Sequence, residues 1–327
     1  MTKLQDNVDK LKNVAVLVIG DLMIDEFIYG KVERVSPEAP VPIVDVTSIT
    51  YTPGGAGNVV NNIYALGGKI YPVGVIGDDG TGKRLLADFK SKGIEIDGVI
   101  IDSERPTTLK SRIIAHSQQV VRVDREQRKD IDEWVCKQML SFCRMVIGDI
   151  QSIIISDYAK GVINPRLLEE IIPLGKKYNI PIIVDPKESH FLNYKGVTIT
   201  TPNLHEAENL THKKITDEES LIEVGREILS KLECRGALIT RGEDGMTLFE
   251  QNDEITHIPT MAKEVYDVTG AGDTVVSVMA LALGAKIEMK TAAKLANLAA
   301  GIVVEKVGTA TLNIEELKER IKKMAKL

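Results

Sequence analysis

Asp267-Val268-Thr269-Gly270-Ala271-Gly272-Asp273-Thr274 is the segment best equipped for chemistry, because its glycine-rich turn runs straight into the apolar stretch Val275–Leu283. A turn entering a helix aims backbone N–H groups and the positive helix end at one point, and anions bind there. Asp273 stands at that helix start. A carboxylate so placed can take a proton from an attacking hydroxyl while the Gly270, Ala271 and Gly272 amides hold a transferring phosphoryl group. The same residues also read as a tight turn with Asp273 as N-cap, and local sequence does not separate the two. A second glycine cluster, Gly54-Gly55-Ala56-Gly57-Asn58, precedes another helical stretch. Two such turns far apart in the chain suggest two loops facing one cleft, one for each half of a substrate pair. No GxxxxGK[ST] phosphate loop occurs, nor the HRD and DFG elements of protein kinases.

These turns need a frame, and the hydrophobic pattern supplies one. Val14–Ile19, Ser152–Ser156, Pro181–Asp185 and Ala237–Thr240 are short β-branched runs of the kind buried on both faces of a parallel sheet. Helical stretches separate them at Asn58–Leu66, Gly82–Lys92, Glu133–Phe142, Pro165–Tyr178 and Glu218–Leu232. The alternation predicts a doubly wound α/β fold with a mostly parallel sheet. Asp21, Asp157, Asp185, Asn203 and Arg241 fall at strand C-terminal ends, the edge where open α/β sheets bind ligands. Two segments, about 26–51 and 99–123, alternate apolar and polar residues instead, and predict a small antiparallel sheet acting as a lid over that edge. A single domain over 1–327 is expected, with 313–327 as an amphipathic helix capping the core. Cys136 and Cys143 should share a buried helix face, and Trp134 should anchor packing. His205 reads as a surface residue near a helix start and His116 as a turn residue.

Composition narrows the function. With 41 basic and 47 acidic residues the net charge is −6, which argues against nucleic acid as a partner. Three cysteines without a CxxC pair suggest neither a disulfide framework nor a zinc site, and point to a reduced, cytoplasmic setting. The polar N-terminus does not read as a signal peptide, and no apolar run approaches the roughly 20 residues of a membrane helix.

On its motifs the chain resembles the ribokinase-like (PfkB) sugar kinases: DVTGAGDT matches the family's C-terminal signature, and PGGAGNVVNNIYALGG with VGVIGDDGTG the N-terminal one. Within the family it is most similar to the kinase domains that phosphorylate D-glycero-β-D-manno-heptose 7-phosphate at O1 in ADP-heptose synthesis, on the segments 20–44, 118–124, SDYAKG (156–161), VDPK (184–187), TPNLHEAE (201–208) and 264–274. The resemblance implies ATP and Mg²⁺ as cofactors, with a monovalent cation as a further candidate. It implies Asp273 as catalytic base and Gly270, Ala271 and Gly272 as the anion hole. Asn203, Leu204, His205 and Glu206 fall on the nucleotide side, with Glu206 at the metal. Thr240, Arg241, Gly242 and Gly245 match a loop lining the nucleotide, and Asn297 flanks the adenine. Asp21, Gly54, Gly55 and Asn58 match sugar contacts, with Asp157 beside them and Asp25 a weaker candidate. A phosphorylated sugar needs a cationic pocket, for which Lys110, Arg112, Arg122, Lys160 and Lys187 are available, with Lys160 and Lys187 favoured by their SDYAKG and VDPK contexts. Ser117, before QQVVRVD, departs from the pattern and leaves the sugar less fixed than the reaction. With no HxGH motif present, the expectation is a kinase alone, its nucleotidyl step left to a separate protein. A homodimer through the lid strands is expected, because pairing would cover their exposed edges. The alternatives are a family kinase for another sugar, such as fructose 1-phosphate or ribose, and a binding protein without turnover.

Overall fold

Ile, Val and Leu at successive positions put apolar side chains on both faces of a strand, and two layers of helices cover those faces here. The computed structural model describes residues 2–116, 118–262, 264–306 and 308–324; Ser117 and 325–327 therefore lie outside the described residues. In chain order the strands are β1 (Ala15–Gly20), β2 (Leu22–Val35), β3 (Pro42–Gly55), β4 (Lys69–Ile76), β5 (Val99–Ile101), β6 (Thr108–Ala115) and β7 (Gln118–Arg125). They continue with β8 (Ser152–Ser156), β9 (Ile182–Asp185), β10 (Ile199–Thr200), β11 (Gly236–Thr240), β12 (Met246–Glu250) and β13 (Ile255–Ile258). The helices are α1 (Thr2–Asp9), α2 (Ala56–Ala65), α3 (Gly80–Ser91), α4 (Glu133–Val146) and α5 (Pro165–Lys177). After them come α6 (Leu204–Thr211), α7 (Glu218–Leu232), α8 (Ala271–Gly284), α9 (Met289–Val303) and α10 (Ile314–Met324).

The main sheet has nine strands in the order β13-β12-β11-β10-β9-β8-β1-β4-β5. Pairing is parallel from β11 through to β5, and antiparallel at β11–β12 and β12–β13. Val16, Val18, Ile154, Ile183 and Leu238 pack on one side with α2, α8 and α9. Leu17, Ile19, Ile153, Ile155 and Val184 pack on the other with α4, α5 and α7. Helix α8 is buried from Asp273 through Ala282 with no polar face, so it runs through the interior beside the sheet. Leu317 and Ile321 of α10 join the same core, as the amphipathic tail requires.

The second sheet has four strands in the order β3-β2-β6-β7. It differs from the expected lid at both bounds. Strands β2 and β3 begin and end inside the main fold, at Leu22 and Gly55, because they grow directly out of β1 and into α2. Val99–Ile101 is not part of it: β5 pairs parallel with β4 and forms the edge of the main sheet. Cys136 and Cys143 are buried, whereas Trp134 is 61% exposed, against the expectation that it anchors packing. It lies on α4 beside the buried Val135 and Cys136 but on the face turned away from the sheet.

Candidate active site

Strand β1 lies between β8 and β4, so chain order reverses direction at its C-terminal end, and a crevice opens there between β1 and β8. Asp21 and Asp157 stand at that crevice, fully buried. Asp21 accepts hydrogen bonds from the backbone N–H groups of Tyr158 (2.8 Å), Lys160 (3.2 Å) and Val162 (3.2 Å). These bonds hold the 158–162 loop. Burial, followed by the nearby Asp157 charge, pushes the Asp21 pKa up to about 6. Asp157 accepts from His190 Nδ1 at 2.5 Å, from Ala159 N at 2.7 Å and from the Tyr194 hydroxyl. That hydrogen bond to Asp157 raises the His190 pKa.

The helix cap of α8 settles the ambiguity about Asp273. Gly270 is the N-cap, with φ of 81°, and Asp273 lies three residues into the helix. A Cβ on Gly270 would sit 2.6 Å from Asn58 Nδ2, so both the dihedral and the space call for glycine. The Asp273 carboxylate does not cap the helix but points across the crevice. Its Oδ2 accepts from Asn58 Nδ2 at 2.7 Å and its Oδ1 from the Tyr158 hydroxyl at 2.8 Å. Burial pushes its pKa up to about 6 against the pull of those two hydrogen bonds. Of the first-turn N–H groups that of Ala271 donates to the Val268 carbonyl at 3.2 Å, those of Gly272 and Asp273 have no acceptor inside the helix, and among the described residues nothing comes within 4 Å of a Cβ built on Gly272. A buried acceptor beside an open nest of amides can receive a proton from a hydroxyl whose oxygen attacks an anion held at the turn.

Over this crevice lies one face of the four-stranded sheet. Asp25 pairs in register with Thr52 and with Lys110, and Phe27 with Arg112. The Arg112 guanidinium donates to Asp25 at 2.5 Å and lies 5.3 Å from the Phe27 ring. Gly54 faces the same carboxylate: a Cβ there would fall 2.2 Å from Asp25 Oδ2. Gly55 is the N-cap of α2 and places Asn58 in its first turn. Of the five basic residues considered for a phosphate, four are engaged. Arg112 is on Asp25, Lys160 bonds Glu126 at 2.8 Å, Lys187 bonds Glu206, and Arg122 sits exposed on β7 with Asp124 at 2.9 Å. Lys110 has no carboxylate within 4 Å among the described residues; its ammonium is 5.4 Å from the Tyr158 ring, and burial lowers its pKa.

On the other side of the crevice, Asn203 is the N-cap of α6, and with Glu206 it forms a reciprocal capping box. The NxxE spacing is therefore a helix start. Glu206 also accepts from Lys187. Burial alone would lower the Lys187 pKa, but the Asp185 and Glu206 charges outweigh it and hold it above its ordinary value. Burial and the Glu206 charge drive Asp185 well above the usual carboxylate range. Leu204 and His205 open α6, with His205 exposed. Thr240 ends β11 and bridges to Asn203, Arg241 Nη1 reaches Thr247 at 3.3 Å, and Gly242 and Gly245 close a tight turn at φ of 59° and 81°. Asn297, buried on α9, donates to the Pro259 carbonyl at 2.8 Å. No group of three or more His, Cys, Asp or Glu arranged for a metal occurs among the described residues. A divalent ion here fits only as one held chiefly by nucleotide phosphates and water, with Glu206 as the protein's contribution.

Tyr158 and Lys110 are thus the side chains nearest Asp273 that motif reading undervalued. A lone Tyr after Asp157 carries no spacing signal; its place follows from the loop that Asp21 ties down. A separate concavity of about 1570 Å³, lined by Gln151, Lys176, Arg235, Gly284 and Met289 among others, lies at the opposite edge of the main sheet. It includes none of the residues just described.

Comparison with known proteins bears on the same architecture. The chain is 47% identical over 308 residues to the Bifunctional protein HldE of Geotalea uraniireducens (strain Rf4), a match covering 94% of this chain and 63% of that one. It is 45% identical over 304 residues to the Bifunctional protein HldE of Geobacter sulfurreducens, covering 93% and 62%. The chain therefore spans less than two thirds of the length of these relatives. Two solved structures share the fold at low identity. Phosphofructokinase-2 from Escherichia coli in complex with potassium superposes with a TM-score of 0.78 at 17% identity, covering 96% of this chain and 99% of that one. Arabidopsis thaliana ribokinase complexed with ribose and ATP does so with a TM-score of 0.74 at 19% identity, covering 95% and 99%. The pfkB family carbohydrate kinase model matches residues 14–316, and the chain belongs to that family.

Proposed function

We propose that this chain transfers the γ-phosphoryl group of ATP to O1 of D-glycero-β-D-manno-heptose 7-phosphate, giving the 1,7-bisphosphate. One observation carries the reading: a buried carboxylate, Asp273, held between Asn58 and Tyr158 beside the glycine turn that heads α8. In the reaction the sugar hydroxyl gives its proton to Asp273, O1 bonds to the γ-phosphorus, and the bond from that phosphorus to the β-bridging oxygen breaks, releasing ADP. The amides of Gly270, Ala271 and Gly272 receive the charge of the transferring group. Mg²⁺, arriving with the nucleotide, supplies charge neutralisation. A pKa near 6 suits Asp273 to accept a proton at neutral pH.

Resemblance to the HldE relatives and the uncompensated Lys110 ammonium support a phosphorylated heptose over a free sugar. Asp25 with Arg112 and Gly54 supplies a polar ceiling suited to a polyol. The exposed Val46, Ile49, Val120, Val121 and Val123 on the small sheet support a homodimer formed through it. A monovalent cation beside ATP and Mg²⁺ is a further part of the reading, supported by the potassium complex of the E. coli fold relative. A coupled ADP-release assay over heptose 7-phosphate, fructose 1-phosphate and ribose tests the substrate. The phosphoheptose should exceed the others in kcat/KM by about 100-fold or more, since a site built for a phosphate penalises sugars lacking or misplacing it. Preference for another sugar would replace this reading with that of a sister kinase. ATP binding without turnover on any of them would leave a sugar-nucleotide binding protein.

A further inference from the structure

We propose that Tyr158 is the positioning residue of the base: its hydroxyl fixes the rotamer of Asp273 and keeps that carboxylate ionised until the sugar proton arrives. The inference rests on the reading of Asp273 as base. Three observations carry it. The phenol donates to Asp273 Oδ1 at 2.8 Å, while Asn58 occupies Oδ2, so the carboxylate plane is set from both sides. Each oxygen keeps a further lone pair for the sugar hydroxyl. The backbone beneath the phenol is itself locked. Asp21 takes the N–H groups of Tyr158, Lys160 and Val162, and the loop turns through left-handed residues at Ala159 (φ 53°) and Gly161 (φ 87°). A Cβ on Gly161 would collide with the Lys129 carbonyl at 2.1 Å, so the turn cannot readily relax. Finally, the phenol stays protonated and so donates to the ionised carboxylate. Burial, then the Asp273 and Asp185 charges, raise its pKa far beyond reach of working pH, so it never competes with Asp273 for a proton.

The other charges around the pair are Asp25 from β2, Lys110 from β6, and Asp185 and Lys187 at and after β9, with Arg112 tied to Asp25. Lys110 and Lys187 lie 5.4 and 5.7 Å from the Tyr158 ring. Of the groups that favour the ionised form of Asp273, only Asn58 and Tyr158 bond it directly among the described residues. Removing the phenol hydroxyl therefore makes protonation of Asp273 easier, whereas a residue that merely packs would lower turnover equally at every pH.

The test is the pH profile of kcat for the full chain with saturating ATP and phosphosugar. Tyr158→Phe should move the acidic limb upward by about one pH unit, the scale of a lost hydrogen bond to a charge. Turnover should then fall about 5-fold near pH 6, toward about 10-fold at lower pH, and less than about 3-fold near pH 8.5. Replacing Tyr158 with 3,5-difluorotyrosine keeps the shape but strengthens the donor, and should move the limb downward; this form remains informative if Tyr158→Phe fails to fold. A limb left in place by both replacements, or a pH-independent loss, overturns the proposal. Asp273→Asn serves as the control. Full turnover in that variant would sink the base assignment itself, whereas an inactive Asp273→Asn with an unmoved limb in the Tyr158 variants sinks only the role of the tyrosine.

Discussion

A carboxylate that takes a proton near neutrality must sit above its aqueous pKa yet still be an acceptor, and Asp273 meets both demands through burial opposed by two donors. Asp273→Asn should lower kcat by about 1000-fold or more while KM for ATP changes little, as steady-state kinetics would report. Lys110→Met removes an ammonium that, among the described residues, has no carboxylate partner within 4 Å. It should raise KM for the phosphosugar by about 10-fold and leave ATP binding unchanged; equal loss of both would make the lysine structural. At this scale the sequence was legible in part: DVTGAGDT entering an apolar helix put Asp273 in the first turn of α8, but that Gly270 is the cap and that Asp273 faces Asn58 and Tyr158 depends on distant residues. The basic residues were not legible. Which of five cations stays uncompensated depends on which carboxylate lies across the sheet, and Arg112 meets Asp25 only through strand register.

Elements carry two jobs at once in this fold, and the start of α6 is the clearest instance. Glu206 closes the capping box with Asn203 and also pairs with Lys187, and in the proposed reaction it serves the nucleotide's metal. Glu206→Gln separates the jobs, because glutamine still serves a capping box but brings no charge. Its thermal unfolding should stay within about 0.5 kcal/mol of the parent, with turnover at limiting Mg²⁺ reduced. Asn203→Ala should instead cost about 1 kcal/mol of stability by denaturant unfolding. The lid shows where pattern reading stops. Alternation identified β2, β3, β6 and β7, but Val99–Ile101 has the same texture as a lid strand. Only its partner, β4, assigns it to the main sheet, and a partner is a long-range fact that no window of residues contains.

Across the whole molecule, charge buried for function opposes folding. Asp21 and Asp273 are both held near 6 in the folded chain, above the roughly 3.9 of an unfolded aspartate. A group raised in the folded state binds more protons there. Its contribution is therefore fully present below pH 4 and is lost as pH rises through 6, on the order of 3 kcal/mol each at most. Asp273→Asn should accordingly unfold a few degrees higher than the parent at pH 8, and the difference should close as pH falls to about 4; calorimetry across that range decides it.

The two long strands that leave the body for the small sheet, β2 and β3, slip register at Tyr29/Gly30 and again at Val32/Arg34. Asp25 and Gly54 lie on the near side of both slips, and the outlying residues from Arg34 to Pro42 on the far side. Each slip bends the strand that carries it and increases its local twist, so the outer ribbon takes a direction of its own beyond the stretch that holds Asp25 and Gly54.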